Sequence, residues 1–210
     1  MTETLAAQAA LVRSAKKLAH NKPVLLTPIT LRPRWNAYVT GAAVRGAPVS
    51  DVRQATLFGA GWLLGSLKYL AEAGAASATY FETVGERGLM DSTVYPMYHA
   101  WADVEEFAKG EVIASASSAP LTVEGLVLRI GTGKRQRTRI LLANMTDEAQ
   151  TVLLNKLSEQ VTVKRLDETN AVLAMKSPEK FRVLKGESMK TINGKLEIEL
   201  LPYAVMRVDG

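Results

Sequence analysis

The sequence predicts an α/β half followed by an all-β half: the last two βα units of a partial (β/α)8 TIM-barrel segment, then an antiparallel β-sandwich. Three observations carry this reading. Helical periodicity alternates with two short apolar runs, Val24–Leu31 and Thr79–Thr83, through the first 110 residues. Beyond Gly110 the period falls to two, in short segments separated by turn residues. Asn193-Gly194 stands between two of these segments and is the strongest short hairpin signal. The division expected is a barrel part at 1–110 and a sandwich at 111–210.

In chain order, Thr4 to His20 is rich in Ala, Leu and Lys without Gly or Pro, and reads as a helix. Val24–Leu31 is apolar, as befits a strand covered on both faces, while Pro28 removes a ladder donor and predicts a bulge or the strand's end. Asp51 with Gln54 three residues later has the capping-box pattern. The helix it opens, Val52 to Ala73, is apolar nearly all round and must pack on more than one side. Its Gly59, Gly61 and Gly65 imply close backbone approach, and Gly74 is the expected stop. A loop from Val84 to Val94 follows the second strand. The next helix, Tyr95 to Ala108, sets Met97, Trp101, Val104 and Phe107 on one face.

The sandwich strands expected are Leu121–Ile130, Arg137–Ala143, Thr151–Leu154, Val161–Leu166, Ala171–Met175, Phe181–Leu184, Lys195–Leu201 and Tyr203–Val208. The first half holds too little sheet to close a barrel, which typically needs about 250 residues. The chain therefore reads as the C-terminal part of a longer protein.

Composition excludes several functions. A hydrophobic share of 47% and a charged share of 22% are those of a soluble globular chain. There is no cysteine, so thiol catalysis and disulfide scaffolds are excluded, and a reducing, cytoplasmic setting fits. The run from Ala55 to Leu67 is too short to span a membrane, and the N-terminus lacks the pattern of a signal peptide. The net charge of +5 is spread over both halves, with 11 basic against 9 acidic residues in the first 110, so no nucleic-acid face is expected. Lys134, Arg135, Arg137 and Arg139 form the one basic cluster; the arginines share a strand face and read as an exposed hairpin surface.

Glu82 is the leading catalytic candidate, because a carboxylate at the carboxyl end of a barrel strand is where such folds present chemistry. The alternative is a structural carboxylate paired with Arg32 or Arg87. Arg32, Arg34, Trp35 and Asn36 follow the other strand, and two guanidiniums beside an aromatic ring and an amide suit an oxygen-rich substrate. A solvated loop with one ion pair is the alternative there. Tyr80 alternates with Glu82 and is expected on the same side, making it a further substrate-binding candidate. His20 and His99 have neither triad company nor metal spacing, so no metal or other cofactor is expected. A sugar hydrolase needs two carboxylates, and Val24–Leu31 ends without one.

Several stretches together resemble the D-apionate lactonase family. They are Leu26-Thr-Pro-Ile-Thr-Leu-Arg-Pro-Arg-Trp-Asn36, Asp51-Val-Arg-Gln54, Gly65–Ala76, Tyr80-Phe-Glu-Thr83, Glu86-Arg-Gly88 and Tyr95-Pro-Met-Tyr-His99, with Arg165–Asn170 and Leu200–Val205 in the sandwich. The resemblance implies a bacterial hydrolase that opens the sugar lactone of D-apionate in apiose breakdown. It also implies a glycosidase-like barrel carrying a β-sandwich. Members of the family are longer, so the chain is similar to their last two barrel units plus the sandwich, and a missing N-terminal barrel portion is the expected partner. A TIM-barrel glycoside hydrolase and a non-catalytic carbohydrate-binding or accessory fragment are the alternatives.

Overall fold

The computed structural model describes residues 2–20, 22–32 and 50–210. Helix α1, Leu5–Leu18, buries Leu5, Ala9 and Val12, one face at helical spacing. Strand β1, Leu25–Ile29, pairs in parallel with β2, Ser77–Tyr80. Their register slips between Leu26 and Ile29, around Pro28, where the missing N–H interrupts the ladder as expected.

A 3-10 turn at Val52–Ala55 precedes helix α2, Leu57–Glu72, so the single helix expected from Val52 is two elements. Asp51 caps the turn by accepting from the Arg53 N–H at 3.0 Å. Gln54 does not reach back to complete a capping box; its side chain is buried elsewhere. Helix α2 is buried almost all round because it is shared by three neighbours: α1, helix α3 (Pro96–Glu105) and the sandwich. A Cβ on Gly61 would stand 3.3 Å from that of Ala143, and one on Gly65 only 2.7 Å from Leu5 Cδ1, which is the close approach those glycines permit. Gly74 ends the helix at φ +80°.

The run Thr79–Thr83 is not one strand. It breaks at Phe81, φ +43°, into β2 and a short β3, Glu82–Val84, which pairs in parallel with β4, Gly88–Met90. In the sandwich, a six-stranded sheet has the order β10-β9-β12-β7-β6-β5 and faces a two-stranded sheet β11-β8. The strands are β5 Glu111–Ile113, β6 Val123–Ile130, β7 Arg137–Asn144, β8 Gln150–Leu154, β9 Gln160–Leu166, β10 Glu187–Lys190, β11 Leu196–Leu200 and β12 Val205–Asp209. β5 and β10 were not foreseen. Asn193 and Gly194 take φ +51° and +69° in the turn before β11, with Ile192 and Lys195 bonded across it, as Asn-Gly predicts.

Two expected strands are helices. Ala171–Lys176 is α4 and Pro178–Val183 is α5, with Pro178 at the first helical position where its missing N–H costs nothing. Each is a short apolar run whose period does not separate strand from helix.

The large sheet is buried on both faces. Leu142, Met206 and Val208 point with Leu196, Ile198 and Leu200 into the sandwich core, while Leu126, Leu141 and Ala143 join Leu63, Leu64 and Met97 in a core shared with the helices. That double duty explains why Leu141, Leu142, Ala143 and Asn144 are buried in succession. Among the described residues no helix is long and apolar enough to cross a membrane.

Candidate active site

Strand β2 is covered on one face only, so regular alternation would bury just one of the consecutive residues Tyr80 and Phe81, yet both are buried. The left-handed Phe81 residue resolves the conflict at a cost of about 1–2 kcal/mol. It lets the Phe81 ring meet Trp62 edge-on at 6.4 Å and the Tyr80 ring at 6.1 Å. Tyr80 also meets Trp101 edge-on at 5.5 Å, and its hydroxyl lies 2.7 Å from Ser66 Oγ. Burial pushes the Tyr80 phenol above its ordinary range. Tyr80 therefore lies in the core beneath the strand end, while Glu82, past the turn, is half-exposed.

The Glu82 carboxylate meets Arg87 Nε at 3.1 Å, and its backbone N–H donates to the Arg87 carbonyl at 3.0 Å. The loop between β3 and β4 thus folds Arg87 back over Glu82. Beneath it lies Gln54, whose Nε2 donates to the Gly88 carbonyl at 2.6 Å and reaches that of Glu86 at 3.5 Å. Gln54 was legible only as a helix cap.

Parallel pairing of Ile29 with Tyr80 brings Arg32 and Glu82 to the same end of the two-stranded sheet. Arg32 is exposed, and its backbone carbonyl accepts from Thr30 Oγ1. Hydrogen bonds from Arg53 hold the Asp51 carboxyl below its usual range, with the Arg32 charge adding to the effect. Arg34, Trp35 and Asn36 lie outside the described residues.

His99 is buried, with Nε2 3.0 Å from the Ala174 carbonyl and the Phe181 ring 4.7 Å away. A carbonyl partner makes Nε2 the protonated nitrogen and leaves Nδ1 bare; Nδ1 has no partner. Burial lowers the His99 pKa below 6.5. The unfolded chain therefore binds the extra proton between 6.5 and that lower value, and stability falls as pH drops through this window. His99→Gln is expected to flatten this part of the pH–stability profile from urea unfolding, and an unchanged slope would clear His99 of it.

The basic cluster departs from its expected exposure at Arg139, which is buried. It bonds Asp209 Oδ1 at 2.6 Å, Glu106 Oε2 at 2.8 Å and the Asp103 carbonyl at 2.7 Å, over the Phe107 ring. Arg207 and Arg182 each reach both Asp103 and Glu106, so three arginines and three carboxylates fasten α3 to the sandwich. Burial opposes ionisation of Glu106, but the Arg139 hydrogen bond and the surrounding guanidiniums hold it below the usual range. This cluster is spent on packing.

A groove of about 940 Å³ lies on the sandwich between the β5–β7 side of the large sheet and β8, lined by Ser115, Glu124, Thr138, Ile140 and Val152. Arg32, Gln54, Glu82 and Arg87 do not line it, and it carries no aromatic side chain for a sugar ring to stack on. Among the described residues no cluster of three His, Asp or Glu could hold a metal ion.

Solved structures share this fold. A GH30 endoxylanase from Clostridium papyrosolvens superposes with a TM-score of 0.57 at 12% identity, over 93% of this chain and 44% of that one. A GH44 xyloglucanase from Paenibacillus polymyxa gives 0.62 at 10% identity, over 94% and 34%. A 4-O-α-L-rhamnosyl-β-D-glucuronidase from Fusarium oxysporum gives 0.57 at 17%, over 99% and 50%. This chain thus spans half or less of the length of these structures. No curated protein matches it. Residues 1–109 match the D-apionate lactonase TIM barrel domain and residues 120–208 its C-terminal immunoglobulin-like domain. With both halves covered in order, the chain belongs to the D-apionate lactonase family.

Proposed function

We propose that the chain serves a carbohydrate hydrolase that opens the lactone of a sugar acid, D-apionate, in apiose catabolism, with Glu82 as general base. The observation that carries this reading is Glu82 itself, set past the carboxyl end of β2 beside a guanidinium, in a chain whose two halves match the family. Glu82 takes a proton from water as the water oxygen attacks the lactone carbonyl. The resulting oxyanion is held by cationic donors, for which Arg32 and Arg34 are the candidates. Collapse breaks the ring C–O bond; the leaving oxygen takes the proton back from Glu82, and an open hydroxy acid departs. Trp35 and Asn36 would bind the sugar hydroxyls, and Tyr80 would support the strand end from below.

The two parallel strands β1 and β2 are a quarter of an eight-stranded barrel. The reading therefore gives this chain one side of a site, with a further barrel portion as its partner and the cytoplasm as its setting.

Glu82→Gln, made in the polypeptide as its host produces it, is expected to lower lactone opening followed by pH-stat by about 100-fold or more. Activity within a few-fold of the parent would remove Glu82 from the mechanism. The likeness to glycoside hydrolases keeps one rival: cleavage of a glycoside with a second carboxylate about 5–10 Å from Glu82. Turnover of aryl glycosides without lactone opening would favour the rival.

A further inference from the structure

The loop that follows Glu82 is built more firmly than its exposure requires. Gly88 N donates to the Gly85 carbonyl at 2.7 Å, and Gly85 N to that of Met90 at 2.9 Å. The parallel ladder pairs Glu82 with Gly88 and Val84 with Met90. Gly88 leaves no room for a side chain, since a Cβ there would stand 2.8 Å from the Val84 backbone. The loop is also tied from below by an amide that is itself 4% exposed: Gln54, on the 3-10 turn that Asp51 caps.

The amide satisfies the buried Gly88 carbonyl, which an apolar side chain would leave without a donor, but closing a surface loop over a buried amide needs a further reason. The reason visible in the geometry is what the loop carries. Arg87 is about half-exposed and would swing freely on an untethered loop. Tied down, it presents Nε to Glu82 Oε1 at 3.1 Å while its own carbonyl holds the Glu82 N–H. Backbone and side chain of Arg87 thus grip the same residue, and Gln54 fixes the backbone that does so.

We propose that Arg87 and Gln54 are the positioning residues of the site: Gln54 fixes the loop, and through it Arg87 fixes the Glu82 carboxylate toward substrate. The proposal rests on the reading of Glu82 as the general base and adds the machinery that orients it. Arg87 acts through Glu82, so its effect must vanish when the carboxylate is gone. A residue that merely stabilises the fold has no such dependence.

The test is a double-mutant cycle on lactone opening, in the polypeptide as its host makes it. Arg87→Gln is expected to lower kcat by about 30-fold with KM within about threefold, and to change the residual rate of Glu82→Gln by less than about twofold. Arg87→Lys keeps the charge without the planar fork and is expected to recover part of the loss. Gln54→Met keeps the volume, removes the donor, and is expected to reproduce the Arg87→Gln loss, again silently in the Glu82→Gln background.

Parental kcat in Arg87→Gln, or an equal loss in both backgrounds, overturns the positioning role while leaving Glu82 as base. A near-parental Glu82→Gln removes the base and the positioning role together. The two failures are therefore told apart by the Glu82→Gln rate alone.

Discussion

Replacing Arg139 by leucine is expected to cost about 3 kcal/mol of folding free energy and to lower Tm by about 6–12 °C. The side chain is 3% exposed and makes charge-assisted bonds to Asp209 and Glu106 plus one to the Asp103 carbonyl. Removing one partner of a buried pair leaves the others desolvated without compensation. The cost falls at the lower end of the usual range because Asp209 and Glu106 keep Arg207 and are themselves partly exposed. Two residues earlier on the same strand face, Arg137 is exposed and stacks on Phe107 from 5.2 Å. Arg137→Leu is expected to stay within about 0.5 kcal/mol. Urea unfolding of both variants checks the contrast, and similar losses at the two positions would mean that the cluster is not what fastens α3 to the sandwich.

Leu141→Ala is expected to cost about 3–4 kcal/mol. Leu141 is fully buried on the face of β7 that packs with the α2 helix and its neighbours. The cavity would open between a sheet and a helix held apart by other side chains, which limits collapse and keeps the cost out of the lower part of the range. Leu153 is about half-exposed on β8, and its truncation is expected to cost about 1 kcal/mol or less. Because one core spans both halves of the chain, the Leu141→Ala loss should appear in a single transition. Two separated transitions, with only the sandwich affected, would contradict the shared core.

The two-part architecture was legible because period is a local property, and β1, β2, β6, β7, β8, β9, β11 and β12 all fall within or beside segments read from it. The expected strands Ala171–Met175 and Phe181–Leu184 are parts of helices because segments of four or five residues are too short for their period to separate strand from helix. The break at Phe81 was invisible because it comes from the core, where two adjacent rings find room on the same side of the chain. Arg139 was misjudged for a related reason: alternation says which face a residue shares, but not that α3 covers part of that face. At the site, the carboxylate was readable from its place at a strand end, and Arg87 was readable as one of two partners for it. Gln54 was not, since its hydrogen bond spans 34 residues and no local pattern records it.

Strand β12 is the latest in sequence, yet it lies between β9 and β7 in the middle of the large sheet. During synthesis, β5, β6 and β7 can form a meander early, and β9 can pair with β10, but the two pieces have no seam until residues 205–209 have left the ribosome. Until then β7 and β9 each offer an open edge, the kind of surface that recruits other chains. Folding of the sheet is thus gated by elongation rather than by any local step. A released chain cut short before Val205 should be protease-sensitive, whereas the chain carried through Asp209 should resist.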